Sequence, residues 1–501
     1  MSSGHDLTCL LDFNRIKQWF PKLFDRGSKL KTEGYLHSER GDDINIDRIM
    51  TEPEANGANS IGESKGIAKR GFGSFMSSNI DDLIEYAGSC DYIPPALPVK
   101  PPGFEEYAEK EFEFGHAAKR KHFYLEDECI FLNHGAFGGV LKEALEYSQG
   151  WQRYIEREPV RFYDRVFFPQ LIHAQKRLAE FVGCDVSDLV LISNATSATN
   201  SVLQSLNLTS DSTIYYLNTT YGAVKKNIKY LSEKTGAKRQ EEKINFPIKN
   251  EDEILNLVDR TLKEKTTIAV LDHIPSNYGF IMPVKKLVDL CHKRGVPVLI
   301  DGAHALGALS LNLTDLGADY YISNAHKWLC APKGCAFLYV KKELQPTVKS
   351  LVVSHGFESG FQSQFLWTGL KDYTAFLSLH AVLNFWKQVG VENIRSHGRE
   401  LLKKAVETVT KKWKSELIAP LVMNGFLCCV SLPSSSYSEK PDASFEDGEA
   451  IQEKLYHDYN IEVPIKCIQN KLYVRISCHL HNEIKDYKKL ADAVLEISKS
   501  L

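Results

Sequence analysis

The chain has no long apolar run. Its hydrophobic stretches are short and broken by charge, so no membrane-spanning helix is expected in its 501 residues. Neither sign of charge is in large excess: 61 Lys and Arg against 64 Asp and Glu leave a net charge of -3, which gives nucleic acid or an anionic membrane little field to follow. Met1 to Leu10 lack the basic start and apolar stretch of a secretory signal, and Asp6, Asp12 and Asp25 speak against a transit peptide. Regular cysteine spacing is missing too. The 11 cysteines are odd in number and scattered, which points to reduced thiols in a cytoplasmic protein rather than a disulfide framework. Cys428 and Cys429, adjacent in an expected strand, read as small buried residues on opposite faces. No internal repeat is visible.

Hydrophobic residues make up 43% of the chain, enough core for two or more structural units. Residues 1–110 stand apart. Gly, Ser, Asp and Glu crowd residues 34–78, and Ile93-Pro94-Pro95-Ala96-Leu97-Pro98 with Pro101-Pro102 reads as a stiff linker. This arm is expected to be largely disordered or extended, with short helices near 13–23 and 79–86. Further on, apolar runs at 189–192, 213–217, 267–271 and 296–300 alternate with helical spacing, as at 284–293, where Val284, Leu287, Val288 and Cys291 share a face. Such alternation predicts an α/β fold over 111–371, a mainly parallel sheet with helices on both faces. Over 372–501, helices at 375–389, 399–414 and 448–458 and strands at 426–432 and 472–477 predict a smaller α+β domain.

The run ending at Ile300 leads into Asp301-Gly302-Ala303-His304. The next short run, 320–322, leads into Ser323-Asn324-Ala325-His326-Lys327-Trp328. Ligands of parallel sheets sit at the carboxyl ends of strands, so Asp301 and Lys327 are expected at one mouth. An acid and an amine there suit pyridoxal 5'-phosphate (PLP). That cofactor needs a lysine amine for its aldehyde and an anionic partner to keep its ring nitrogen protonated. Taken singly, each has a plainer reading: a strand-end lysine is commonly a solvated charge, and a strand-end Asp commonly caps a turn. Ser193 to Asn200 lies where a strand gives way to a helix. Its amides and the Thr196 and Ser197 hydroxyls suit a phosphate, with His326 and Asn324 as further donors, although a simple N-cap by Asn194 or Thr196 explains the same residues. Tyr221, opening another helix after a strand, suits either ring stacking or core packing.

With these residues in view, the chain resembles the class V aminotransferase family of fold-type I PLP enzymes over roughly residues 115–500. It is similar to the branch containing isopenicillin N epimerases, cysteine desulfhydrases and related carbon–sulfur lyases. The motifs are Leu132-Asn133-His134-Gly135-Ala136-Phe137-Gly138, Asn194-Ala195-Thr196, Asp272-His273-Ile274-Pro275-Ser276, Asp301-Gly302-Ala303-His304, His326-Lys327-Trp328, Trp367-Thr368-Gly369 and Arg475-Ile476-Ser477. The resemblance implies a seven-stranded sheet in a large PLP-binding domain. It implies that Lys327 is the Schiff-base lysine and Asp301 the partner of the pyridine nitrogen. His304 and Ser276 match positions near the ring hydroxyl, Tyr221 the ring-stacking position, and Thr196, Ser197 and His326 phosphate contacts. Thr368 matches a residue reaching the phosphate of a neighbouring subunit, which implies a homodimer; Leu370 replaces a threonine that often follows in this motif. Arg475 matches the arginine that grips the substrate α-carboxylate, a task a guanidinium performs with two parallel hydrogen bonds. Asn133, His134 and Arg161 are candidates to complete the substrate side.

The expected reaction is β-elimination on an amino acid with sulfur at Cβ, in which the freed Lys327 amine takes the Cα proton. Epimerisation and transamination are the alternatives. A desulfurase needs a thiol on a mobile loop near the substrate. No cysteine lies between Cys335 and Cys428, and Cys467 precedes Arg475 too closely for an extended loop. A PLP-fold protein without catalysis is disfavoured by the intact Asp301, His304, Lys327 and Arg475.

Overall fold

The computed structural model of the protein describes residues 80–109, 111–433 and 442–500. Among them the strands are β1 (Ile130–Phe131), β2 (Leu189–Ile192), β3 (Thr213–Leu217), β4 (Lys238–Glu242), β5 (Ile268–Asp272), β6 (Val298–Asp301), β7 (Tyr320–Asn324), β8 (Ala336–Val340), β9 (Leu427–Ser431), β10 (Ile461–Glu462), β11 (Ile465–Ile468) and β12 (Lys471–Ser477). β2 to β8 form one sheet in the order β2-β8-β7-β6-β5-β3-β4. Neighbours from β4 to β7 run parallel, and β8 runs antiparallel to both β2 and β7.

Alternate residues of these strands enter two different cores. Tyr215, Leu217, Ala269, Leu271, Val298 and Ile300 pack on one face, while Ile214, Tyr216, Ile268, Val270 and Leu299 pack on the other. A sheet covered on both faces has no solvent side, which is why its strands read as unbroken apolar runs. β4 is the exception. Lys238-Arg239-Gln240-Glu241-Glu242 lies at the sheet edge, where charge discourages further pairing, and nothing in its hydrophobic pattern marks a strand.

β11, β12 and β9 make a separate antiparallel sheet. One face of it packs on the helices Val391–Trp413, Phe445–Tyr459 and Ile484–Ser500 through Leu402, Ala405, Ile451, Leu455, Leu490 and Val494. The helix expected over 399–414 begins earlier, directly after Gly390, and the one expected over 375–389 is interrupted at Ser378. The helix at 445–459 is fixed at its start by a reciprocal capping box between Ser444 and Asp447.

Part of the expected loose arm is packed. Helix α1 (Ile80–Gly88) buries Ile80, Ile84 and Ala87, one face at helical spacing, against α2 (Phe167–Val182). The proline-rich stretch behind it is extended but tied down: Gln170 donates to the Ala96 carbonyl at 2.7 Å and Tyr147 to the Val99 carbonyl at 3.1 Å. The helix expected near 13–23 lies outside the described residues.

Candidate active site

Register puts the chemistry in one place. β5 and β6 pair so that Asp272 stands opposite Asp301, and β7 next to them leads into the turn that carries Lys327. The first turns of two helices, α3 (Ala195–Gln204) and α4 (Gly222–Thr235), line the same space through Ala195, Thr196 and Val224. Together they enclose a cavity of about 170 Å³ whose walls include Thr196, Tyr221, Asp272, Asp301, His304 and Lys327.

Lys327 Nζ donates to His304 Nε2 at 2.9 Å. The proton of His304 therefore sits on Nδ1, a buried nitrogen without a hydrogen-bond partner. Burial pushes the Lys327 ammonium down to about 8; Asp301 pulls it back up and Arg475 adds to the fall. Burial, with Lys327 and Arg475 beyond it, keeps His304 neutral by driving its pKa well below the usual histidine value. Asp301 accepts the Ala303 amide at 3.0 Å. Its carboxyl is raised by burial, against that amide and Lys327. Asp272 is raised further, first by burial and then by Asp301. Two carboxylates sharing one low-dielectric site cannot both ionise easily. Asp301 faces Lys327, so Asp272 is the one that keeps a proton. The carboxylate ending β5 carries the same signal as the one ending β6, but its meaning depends on register, which the sequence does not display.

At the α3 end, Asn194 caps the helix through Ser197 N at 2.8 Å, and Asn324 Oδ1 accepts from Ala195 N at 2.9 Å. Thr196 and His326 line the cavity; Ser197 does not. His326 donates through Nδ1 to the Cys335 carbonyl at 3.0 Å, and burial takes its pKa down to about 4. Tyr221 lines the opening and is 44% exposed. Ser276 lines the opposite wall, held through its carbonyl by Arg475 at 2.6 Å. Arg475 also donates to Asn133 Oδ1 at 2.8 Å, and Asn133 donates to Glu462 at 2.9 Å. Arg475 and Asn133 thus come together directly behind the cavity wall.

Three sequence candidates lie elsewhere. Arg161 is exposed and pairs with Glu158. Thr368 accepts from Lys371 at 2.9 Å, outside the lining of the cavity. His134 is fully buried and supports the lysine turn from below. The Gly139 amide donates to its Nδ1, which leaves Nε2–H to donate to the Lys327 carbonyl at 3.2 Å. His479 does the same for the next residue: Leu480 N donates to its Nδ1, and its Nε2 donates to the Trp328 carbonyl at 2.9 Å. The two rings stack at 4.1 Å between centroids. His134 and His479 also approach Cys330 closely enough for a metal ion. However, nitrogens that point N–H at carbonyls offer no lone pair. Sequence spacing gave no sign of this stack, because its members lie 345 positions apart (479 − 134 = 345).

Gly138 closes the same region. Its φ is +73°, and a Cβ there would lie 2.2 Å from the His326 carbonyl oxygen. Gly138→Ala is expected to cost about 2–4 kcal/mol of stability, from a left-handed backbone plus a main-chain clash, read as a lower denaturant midpoint at unchanged slope.

The chain belongs to the aminotransferase class-V family, whose profile matches residues 137–490. It is 29% identical over 401 residues to an L-cysteine desulfhydrase of Arabidopsis thaliana, covering 74% of this chain and 87% of that one. It is also 25% identical over 393 residues to the isopenicillin N epimerase of Streptomyces clavuligerus, covering 75% and 96%. Among solved structures it superposes on a C-DES mutant with glycine covalently linked to the PLP cofactor, with a TM-score of 0.64, 18% identity, and coverage of 73% of this chain and 96% of that one. The mainly parallel seven-stranded sheet of this chain is the one expected from its sequence.

Proposed function

We propose that the protein is a PLP-dependent carbon–sulfur lyase that releases sulfur from Cβ of a cysteine-type amino acid. The observation that carries the reading is the Lys327 amine, buried beside a neutral His304, in a cavity whose other wall ends in Asp301. When bound, PLP supplies an aldehyde that bonds primary amines and a ring that draws electrons from a substrate Cα.

The residues fit that group. Lys327 is the attachment amine. Asp301 would hold the ring nitrogen's proton, since a carboxylate raised by burial gains most from a cationic partner. The amides at the start of α3, with Thr196 and His326, would hold its phosphate. Tyr221 would supply an aromatic face to its ring, and His304 with Ser276 would serve its ring hydroxyl. Arg475, steadied by Asn133, grips the α-carboxylate. Lys327 would take the Cα proton: an amine whose pKa is near 8 is neutral in a useful fraction at physiological pH. Residues 111–371 carry the cofactor, and 372–501 supply Arg475.

The overall reaction on L-cysteine balances as cysteine plus water giving sulfide, pyruvate and ammonia. Incubating the holoenzyme with L-cysteine tests it: sulfide with pyruvate supports elimination, while alanine with sulfur points to desulfuration. Exchange of the Cα hydrogen without products supports the epimerase alternative, which the Streptomyces relative favours; transamination would yield a keto acid with no sulfide. Desulfuration has little support here. Cys467 donates to the Ala443 carbonyl at 3.2 Å, burial raises its pKa, and it packs on the side of the small sheet away from Arg475.

Lys327 also sets a pH dependence. Its proton must leave before the amine can bond an aldehyde, so the rate of PLP attachment to apoenzyme is expected to rise about tenfold per pH unit up to near 8 and then level. Stopped-flow absorbance reads this. A rate flat from pH 6 to 9 contradicts it.

Two copies are expected to pair, with the Thr368 segment closing the partner's site; exposed Leu351, Val352, Val353 and Leu370 suit such a contact. Sedimentation reads the state. Ten described cysteines are unpaired, consistent with a reducing cytoplasm. No helix among the described residues is long and apolar enough to cross a membrane.

A further inference from the structure

We propose that the substrate carries a second anionic group, a carboxylate on its sulfur-bearing side chain, and that Lys466 binds it beside Arg475. This deepens the lyase reading and rests on it for the amino-acid end of the substrate. The starting point is a charge imbalance. Arg475 is 3% exposed, yet its guanidinium meets only neutral oxygens, those of Ser276 and Asn133, and its Nε has no partner. A buried cation without an anion is costly, and a substrate α-carboxylate relieves that cost.

One carboxylate answers for Arg475 and leaves Lys466 over. Ile465 and Cys467, its neighbours on β11, pack into the helix-covered core of the small sheet. Lys466 therefore emerges on the opposite face, the one on which Cys429 and Tyr473 join the other core and from which Arg475 projects. β11 pairs antiparallel with β12, with Lys466 opposite Tyr473. Lys466 and Arg475 are thus diagonal neighbours, about 7–8 Å apart along the sheet. Lys466 is half-buried and makes no ion pair among the described residues. After burial, the charges that act on it are Arg475, which lowers its proton affinity, and the Cys429 thiol. The cavity acids do not balance this pair: Asp301 acts on Lys327 and on Asp272, and neither acid is among the charges that act on Lys466 or Arg475.

The loop after β5 walls the same strip. Arg475 holds Ser276, and Cys429 Sγ donates to the Asn277 carbonyl at 3.3 Å. A strip with two cations and neutral walls suits an amino acid whose α-carboxylate sits at Arg475 and whose side chain ends in a second carboxylate. Carboxyalkyl thioethers of cysteine have this shape. Unmodified cysteine leaves Lys466 unmatched. The plainer reading is a strand lysine that reaches past its neighbours to water.

Holoenzyme titrated with S-(2-carboxyethyl)-L-cysteine and with the uncharged S-propyl-L-cysteine, followed by the change in cofactor absorbance, separates the two. Wild type is expected to bind the carboxylate compound roughly ten-fold more tightly, the scale of one charged hydrogen bond. Lys466→Met should erase the preference, and Lys466→Arg should keep it. Equal binding by wild type, or a preference that survives in Lys466→Met, overturns the proposal. The wild-type comparison decides even if a variant fails to fold. Pyruvate release in the same samples reports on the lyase reading separately. Preference without pyruvate keeps the anion site and sinks the lyase; pyruvate without preference does the reverse.

Discussion

Lys327→Ala is expected to lower turnover about 10⁴-fold, the upper end of what a positioned acid–base group contributes, because in the proposed reaction the same amine would attach the cofactor and move the substrate proton. The rest of the cavity keeps its partners: Asp301 keeps the Ala303 amide and the start of α3 keeps Asn324, while His304 loses its bond to Lys327. The variant should therefore still take up PLP, but reversibly, so that dialysis removes it. Stability should not suffer. Burial disfavours the Lys327 charge, and truncation removes that penalty along with one hydrogen bond to His304. A small primary amine added to the variant should restore part of the proton transfer. Lys327→Arg, still cationic but unable to lose its proton at neutral pH, should restore none. A variant with a hundredth or more of wild-type turnover would show that another group does this work.

Asp301→Asn is expected to reduce kcat about 100-fold, the size seen when one preorganised electrostatic contact is lost, with a smaller loss in PLP affinity. The amide still fills the space beside Asp272 but could not play the proposed part of holding a proton on the ring nitrogen. The apoprotein should move the other way and gain about 1–3 kcal/mol, since a poorly compensated buried acid is removed. The pH sense is definite. The Asp301 and Asp272 carboxyls are both raised, so the folded chain keeps protons that the unfolded chain has already lost. Wild-type apoprotein thus loses stability as pH rises above the ordinary carboxylate range, and Asp301→Asn escapes part of that loss. Melting curves of the two apoproteins at several pH values should diverge upward, and parallel curves would contradict the paired-acid account.

The pair at the centre of the site was legible before any fold was drawn. Asp301 and Lys327 each follow an apolar run, and consecutive parallel strands bring their carboxyl ends side by side. The two-sided sheet was legible for the same reason, because strands buried on both faces leave continuous hydrophobic runs. What could not be read depends on contacts far apart in the chain. Asp272 gains its role from the register between β5 and β6. His134 belongs to a motif that suggests substrate contact, yet its ring lies beneath the lysine turn with His479, and only packing reveals that. Arg161 and Thr368 are not part of the cavity lining of their own chain and bond to Glu158 and Lys371 instead. Within the arm, the short helix expected near 79–86 is present as α1 (Ile80–Gly88); what its sequence does not display is that Ile80, Ile84 and Ala87 dock it on α2.

Borohydride reduction of the PLP-loaded protein, followed by peptide mass mapping, tests the central claim most directly. A phosphopyridoxyl mass on the peptide containing Lys327, absent from Lys327→Ala, is the predicted result. The same mass on a different lysine, or on none, would contradict the account.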